Sequence, residues 1–144
     1  MVSFKKKYIP KSLTNKDKKK QTKELQKSKS LYKTGKFHTR KKIKSFKSKK
    51  SGHVLKASKL YNIEKISASK KLSKKTGCSI KGLKEIIKKG QGAYFSSGSR
   101  PNQTSQSWAI ARLGSSITGG KSSVVDYHIL EKYCTKNSKA LKLA

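Results

Sequence analysis

The sequence predicts a mainly α fold: a small helical domain with a long ordered Gly/Ser loop, preceded by an extended lysine-rich N-terminal arm. Three observations carry this. Apolar residues recur at helical intervals in stretches bounded by capping residues and glycines. Hydrophobic residues make up only 32% of the 144, which limits the core to one modest domain. Finally, 38 Lys+Arg stand against 6 Asp+Glu, a net charge of +32. The imbalance is concentrated at one end, with 27 basic and 3 acidic residues in 1–75 and 11 and 3 in 76–144. The boundary is placed at residue 65, giving an arm with short helices over 1–65 and a helical domain over 66–144.

In the arm, Thr14 with Asp17 three residues on forms a capping pattern for a helix running towards Tyr32, and Gly35 would end it. The apolar residues among the lysines (Tyr8, Ile9, Leu13, Leu25, Leu31, Tyr32, Phe37, Ile43, Phe46) are sparse, as expected of anchors that pin an arm to its domain. Stacking of the aromatics on unpaired bases is the alternative. Val54, Ala57, Leu60 and Tyr61 predict a second short helix over about 51–61.

In the domain, Ser69 to Lys75 reads as a short basic helix stopped by Thr76-Gly77. Ile80, Leu83, Ile86 and Ile87 form an i, i+3, i+6, i+7 stripe, and Gly90 is expected to terminate that helix. The pair resembles a helix-turn-helix, with Ser79, Lys81, Lys84 and Lys88 as the exposed candidates for a reading face. After the Gly/Ser segment, Trp108, Ala109, Ala111, Arg112, Leu113 and Ile117 give a helix from Ser105 or Gln106 a broad apolar face, ended by Gly119-Gly120. A last helix starts near Ser122 or Ser123, with Asp126 complementing its N-terminal dipole, and carries Val124, Val125, Tyr127, Ile129, Leu130 and Tyr133. The basic segment Thr135–Ala144 is expected to fray.

A charge of +32 disfavours a compact state unless a polyanion cancels it, so nucleic acid is the expected partner. The residues expected to meet phosphate are Lys5, Lys6, Lys7, Lys18, Lys19, Lys20, Arg40, Lys41, Lys42, Lys49, Lys50, Lys84, Lys88 and Arg100. Lysine outnumbers arginine 35 to 3, and lysine acts on phosphate as a point charge where arginine forks onto guanine edges. Affinity with little base reading follows.

Gly90 to Thr104 is the second distinctive segment. Gly90, Gly92 and Gly98 permit positive φ, and Arg100-Pro101 favours an extended residue before the proline. One reading is an anion cradle built from backbone N–H groups, Arg100 and the following helix N-terminus. The preferred reading is structural: Tyr94, Ser99, Pro101, Asn102 and Trp108 support a loop lying across the helices. Arg100 is then expected to pair with Asp126 or Glu131.

Lys89-Gly90-Gln91-Gly92-Ala93-Tyr94, then Ser97-Gly98-Ser99-Arg100-Pro101-Asn102-Gln103-Thr104, then Ser107-Trp108-Ala109 and Ala111-Arg112-Leu113, resembles a small domain family of unknown function. That family occurs in large nucleocytoplasmic DNA viruses, among them relatives of the algal and amoebal giant viruses. Thr118-Gly119-Gly120-Lys121 and the later Asp126 fit as well, as do Tyr8-Ile9-Pro10, Tyr32-Lys33 and Phe37-His38-Thr39-Arg40 upstream. The resemblance implies a viral origin, with a place in the virion and in host cytoplasm or nucleus during infection. It carries no activity and no catalytic residue.

The chain is expected not to be an enzyme. Its six carboxylates (Asp17, Glu24, Glu64, Glu85, Asp126, Glu131) lack the short paired spacing of metal-dependent nucleases, and His38, His53 and His128 lie at unrelated intervals. No cofactor and no metal are expected. Cys78 and Cys134, 56 positions apart, argue against a disulfide framework and suit a reducing compartment. No apolar run approaches a membrane span and the N-terminus lacks the apolar stretch of a signal peptide, so no membrane partner is expected. The expected function is non-specific nucleic-acid binding, with double-stranded DNA foremost, for charge neutralisation and condensation. The alternatives are an internal virion structural protein contacting acidic virion proteins, and a helix-turn-helix regulator; self-association is compatible with all three.

Overall fold

The computed structural model describes residues 4–47 and 51–144. Among the described residues a 3₁₀ turn, Lys6–Tyr8, precedes eight α-helices: α1 Asn15–Lys33, α2 Gly52–Tyr61, α3 Lys70–Thr76, α4 Ile80–Ser96, α5 Ser105–Ile117, α6 Lys121–Val125, α7 Tyr127–Tyr133 and α8 Lys139–Leu143. The mainly helical class is as predicted. Thr14 caps α1 as expected, accepting from the Asp17 amide; Ser51 and Ser69, expected as the first residues of their helices, stand one position ahead as caps, accepting from the Val54 and Leu72 amides. Gly35, Gly77 and Gly119 follow α1, α3 and α5 with positive φ. Among the described residues no helix is long and apolar enough to cross a membrane.

The chain divides into two compact units, Met1–Lys49 with Gln91–Trp108, and Lys50–Gly90 with Ala109–Ala144. The contacts thus join residues 50–65 to the helical segments after them, and the first unit takes in a piece of the chain from beyond residue 90. Within the first unit the lysine-rich segment is folded rather than extended. It carries the 19-residue α1 and buries Tyr8, Leu13, Leu25 and Ile43.

The second unit holds a continuous hydrophobic core of Ala57, Tyr61, Ile63, Ile66, Leu72, Leu83, Ile86, Leu113, Ile117, Ile129, Leu130 and Ala140, with Cys78 and Cys134 among them. Contrary to expectation, those two cysteines form a disulfide. The Ser79 amide donates to the Tyr133 carbonyl (2.9 Å) and the Thr135 amide to the Gly77 carbonyl (3.0 Å), so Cys78 and Cys134 face each other in an isolated antiparallel bridge. A pair flanked in this way is the non-hydrogen-bonded kind, in which side chains approach most closely. Sequence distance concealed a spatial neighbour.

Three further elements depart from expectation. Gly90 does not end α4, which continues through Gly92 to Ser96. A Cβ at Gly90 would lie 2.7 Å from the Ala109 Cα, so the glycine serves a close helix approach rather than a stop. The expected last helix is split into α6 and α7 around Asp126, whose side chain caps neither, and it leaves Val124 and Val125 exposed. The C-terminal segment forms α8, capped by the Ser138 side chain on the Leu141 amide and anchored by buried Ala140.

Candidate nucleic-acid interface

Lys5, Lys6 and Lys7 lie exposed on the 3₁₀ turn, where the Lys7 ammonium sits 5.6 Å from both the Tyr8 and Trp108 ring centroids and Lys5 5.9 Å from Tyr8. Tyr8 packs edge-on against half-buried Trp108 at 6.0 Å. On α1, Lys18, Lys19 and Lys23 border an open depression with Thr22 and Gln26, which helical spacing places on adjoining rows. Lys20 is half-buried, and Lys41, Lys42 and Arg100 are exposed. Lys49 and Lys50 lie outside the described residues. In the second unit, Ser79, Lys81, Lys84 and Lys88 are all exposed, Ser79 in the turn and the lysines along α4.

The α1 lysines are mutually unfavourable. Lys16 and Lys20, Lys19 and Lys23, Lys23 and Lys27, and Lys29 and Lys33 stand at i, i+4. Four such like-charge pairs disfavour the helix by about 1–2 kcal/mol in total, a penalty that a bound polyanion removes.

Arg40 is not part of the exposed basic surface. It is only 7% exposed. Its guanidinium donates to the Ser28 hydroxyl (2.9 Å), the Tyr94 carbonyl (2.7 Å) and the Ser99 hydroxyl (2.7 Å), and its carbon lies 3.8 Å from the Tyr94 ring centroid. Its backbone amide donates to the Tyr94 hydroxyl at 3.1 Å. Each hydroxyl passes a bond onward: Ser28 to the Phe95 carbonyl, Ser99 to the Arg100 carbonyl, Tyr94 to the Gln103 carbonyl. Burial pushes the guanidinium pKa below its usual value, against the opposing pull of Tyr94, Tyr8 and Glu24. Arg40 therefore organises the unit, and its five fixed donors suit it to that task better than any lysine.

The rest of segment 38–46 is fastened in the same polar manner. Glu24 accepts from the Lys41 amide (2.8 Å) and is paired with His38 Nε2 (3.1 Å). Burial pushes the Glu24 carboxyl pKa up, but the bonds from Lys41 and His38 outweigh this and hold it below its usual value. Asp17 accepts from the Ser45 amide at 3.0 Å, and bonding to Ser45 lowers its pKa. Asn102, at φ 64°, accepts from the Ile43 amide (2.6 Å) and donates to the Ile43 and Phe46 carbonyls.

The Gly/Ser loop is shorter than expected, because α4 claims its first residues. Gly98, at φ 113°, allows the backbone to lie against Leu25, whose Cδ2 a Cβ would meet at 2.9 Å. Thr104 and Ser107 bond to each other's amides at the start of α5, Ser99 is buried against Arg40, and Pro101 is buried. The side chains of Ser99, Asn102, Gln103 and Thr104 are engaged in the fold. Nor does Arg100 meet Asp126: fully buried Asp126 accepts from Arg112 Nε (3.0 Å), Arg112 Nη2 (2.7 Å) and the Ser116 hydroxyl (2.7 Å). An Arg112 one helix away offers the bidentate geometry that an exposed loop arginine does not.

Asp17, Glu24 and Asp126 are spent on internal amides, His38, Arg112 and hydroxyls. Asp17 and Glu24 still attract Lys20 and Lys27, but two carboxylates offset little of the first unit's lysine charge. In the first unit, with 20 basic residues and two acidic ones, both acids are turned to internal partners. The sequence reading located the excess charge but missed this inward turning, which the spacing Thr14-x-x-Asp17 hinted at for one residue only.

A family model described as "Family of unknown function (DUF5824)" matches residues 3–132. No curated protein matches the chain, and no solved structure does.

Proposed function

We propose, for a chain that belongs to this family of unknown function, a non-enzymatic role as a polyanion-neutralising protein that binds nucleic acid with little regard for sequence, duplex DNA foremost. The observation that carries the reading is the fate of the carboxylates: half of the six are consumed inside the fold, and the lysines are left facing solvent. Counterion release from phosphate is then the dominant source of affinity, and condensation of the nucleic acid the consequence. The resemblance to proteins of large DNA viruses makes the virion interior the proposed location, and genome neutralisation the proposed task.

The test is titration of the full chain onto a long linear duplex of random sequence, followed by light scattering. Condensation at a stoichiometry near charge balance, reversed by salt and indifferent to sequence, is expected. Scattering that stays flat at every ratio would refute the reading.

A second reading has one observation in its favour. Val124 is 78% exposed, and Val125 and Tyr127 beside it are exposed too, on short helices of the second unit. Contiguous exposed apolar side chains suit a protein contact, as an internal structural component of a virion would need. Retention of the protein on the capsid after genome release, at fixed copy number, would favour this role over neutralisation. The exposed Ser79, Lys81, Lys84 and Lys88 sustain the helix-turn-helix regulator only if one sequence outcompetes random duplex.

A further inference from the structure

In the first unit, the large exposed apolar side chains among the described residues are both aromatic: Tyr32, 36% exposed, and Phe37, 71% exposed. They gather around half-buried Phe95. The Phe37 and Phe95 centroids are 5.0 Å apart, the Tyr32 and Phe95 rings lie nearly parallel (13°) at 6.2 Å, and Tyr32 and Phe37 are 6.1 Å apart. The base of the cluster is rigid. Tyr94 packs edge-on against Phe95 at 5.1 Å, and the Phe95 carbonyl is tied to Ser28, itself bound by Arg40.

The surroundings are cationic. Lys29 neighbours Tyr32 at i, i+3 on α1, Lys33 adjoins it, and Lys36 precedes Phe37, the last two exposed. No acidic residue occurs between Glu24 and Glu64 or between Glu85 and Asp126, and Glu24 is committed to Lys41 and His38. An exposed aromatic patch flanked in sequence by Lys29, Lys33 and Lys36 is complementary to a ligand with flat π-faces joined by phosphates.

We propose that Tyr32, Phe37 and Phe95 form a stacking platform for unpaired bases of single-stranded nucleic acid, with Lys29, Lys33 and Lys36 holding the flanking phosphates. The proposal rests on the polyanion-binding reading above and adds a ligand class to it. Duplex DNA offers its phosphates to the lysines but keeps its base faces stacked. The platform therefore discriminates unpaired from paired strands without reading sequence, since every base has a π-face.

The test uses the full chain and three fluorescein-labelled probes at one salt concentration: a thymidine 15-mer, an abasic 15-mer with the same phosphates, and a duplex of the same length. The thymidine strand should bind roughly 5- to 150-fold more tightly than the abasic strand, the range for stacking one base. Phe37→Ala together with Tyr32→Ala should abolish that preference while leaving duplex affinity unchanged. Phe37→Trp should keep the preference and Phe37→Leu should lose it, because leucine retains apolar bulk without a π-face. Far-UV circular dichroism verifies that each variant is folded. Equal binding of thymidine and abasic strands by the unaltered chain, or a loss in the alanine variant that falls equally on all three probes, would overturn the platform and leave the polyanion reading standing. Failure to bind even the duplex and abasic strand at low salt would overturn both.

Discussion

The two units solve the same problem, a net positive charge, with different interiors. The second unit has 18 basic and 4 acidic residues and is held by a continuous apolar core closed by the Cys78–Cys134 disulfide. The first has 20 basic and 2 acidic residues and a thinner apolar interior, and substitutes a polar lattice: the Arg40 guanidinium on two hydroxyls and a carbonyl, Asn102 on the Ile43 backbone, Glu24 and Asp17 on amides. No buried side-chain nitrogen or oxygen among the described residues lacks a partner. A segment too lysine-rich to bury much hydrocarbon gains its specificity from fully satisfied buried polar groups, each of which is costly to leave half-paired. The buried polar framework is built from Arg40, Asn102, Glu24 and Asp17, and most of the unit's lysines are exposed, as a polyanion-binding surface requires.

The comparison is broken most severely at the disulfide. Cys134→Ser, or reduction, is expected to destabilise the chain by about 4 kcal/mol, the loop-closure entropy for the 56-residue separation. Hydrogen exchange should show amides of α3, α7 and α8 losing more protection than those of α1; the reverse order would contradict the assignment of the two interiors. Next comes Arg40→Ala, which strands the Tyr94 carbonyl and the relay hydroxyls and should cost about 3 kcal/mol. Trp108 lies in the same unit, so its emission reports the change. Arg40→Lys should recover only part of the loss, since one ammonium cannot span the three acceptors.

The pH responses should also separate the units. In the second, burial pushes the Tyr61 phenol up to about 12, and its hydroxyl donates to the Ile117 carbonyl. A pKa raised on folding gives stability that is fully present below about pH 10 and lost as pH rises towards 12, amounting to about 2–3 kcal/mol. Tyr61→Phe should remove that alkaline dependence in thermal melts. In the first unit the Glu24 carboxyl is held below its usual value, so its contribution is present above about pH 4.3 and lost as pH falls through the folded pKa. Glu24→Gln should cost about 1–2 kcal/mol at neutral pH and flatten the acid limb.

What could be read from the sequence was what local chemistry decides. Thr14 caps the helix it precedes, the helix starts near Ser51 and Ser69 fall within a residue of those expected, and Gly35 and Gly77 stop their helices, because a cap or a positive φ involves only three or four neighbours. Gly90 carries the same letter with another meaning, and only the presence of Ala109 opposite distinguishes a close approach from a stop. Arg40, in the run Arg40-Lys41-Lys42, looked like one more surface cation. The discriminating signal was its residue type, an arginine among lysines three residues before the buried Ile43. The partners of Asp126 and of Cys78 lie on other elements and had no sequence signature; a carboxylate six residues past a glycine-rich stop suits a dipole or a buried pair equally well.

The most direct test of the central claim, that the first unit's outward lysines supply the affinity, is the salt dependence of full-chain binding to a random 30-mer duplex by fluorescence anisotropy. With about eight phosphates engaged, the log–log slope should be about −7, and replacing Lys18, Lys19, Lys20, Lys23, Lys27 and Lys33 by glutamine should bring it to about −2. An unchanged slope in that variant would contradict the account and move the interface to the second unit.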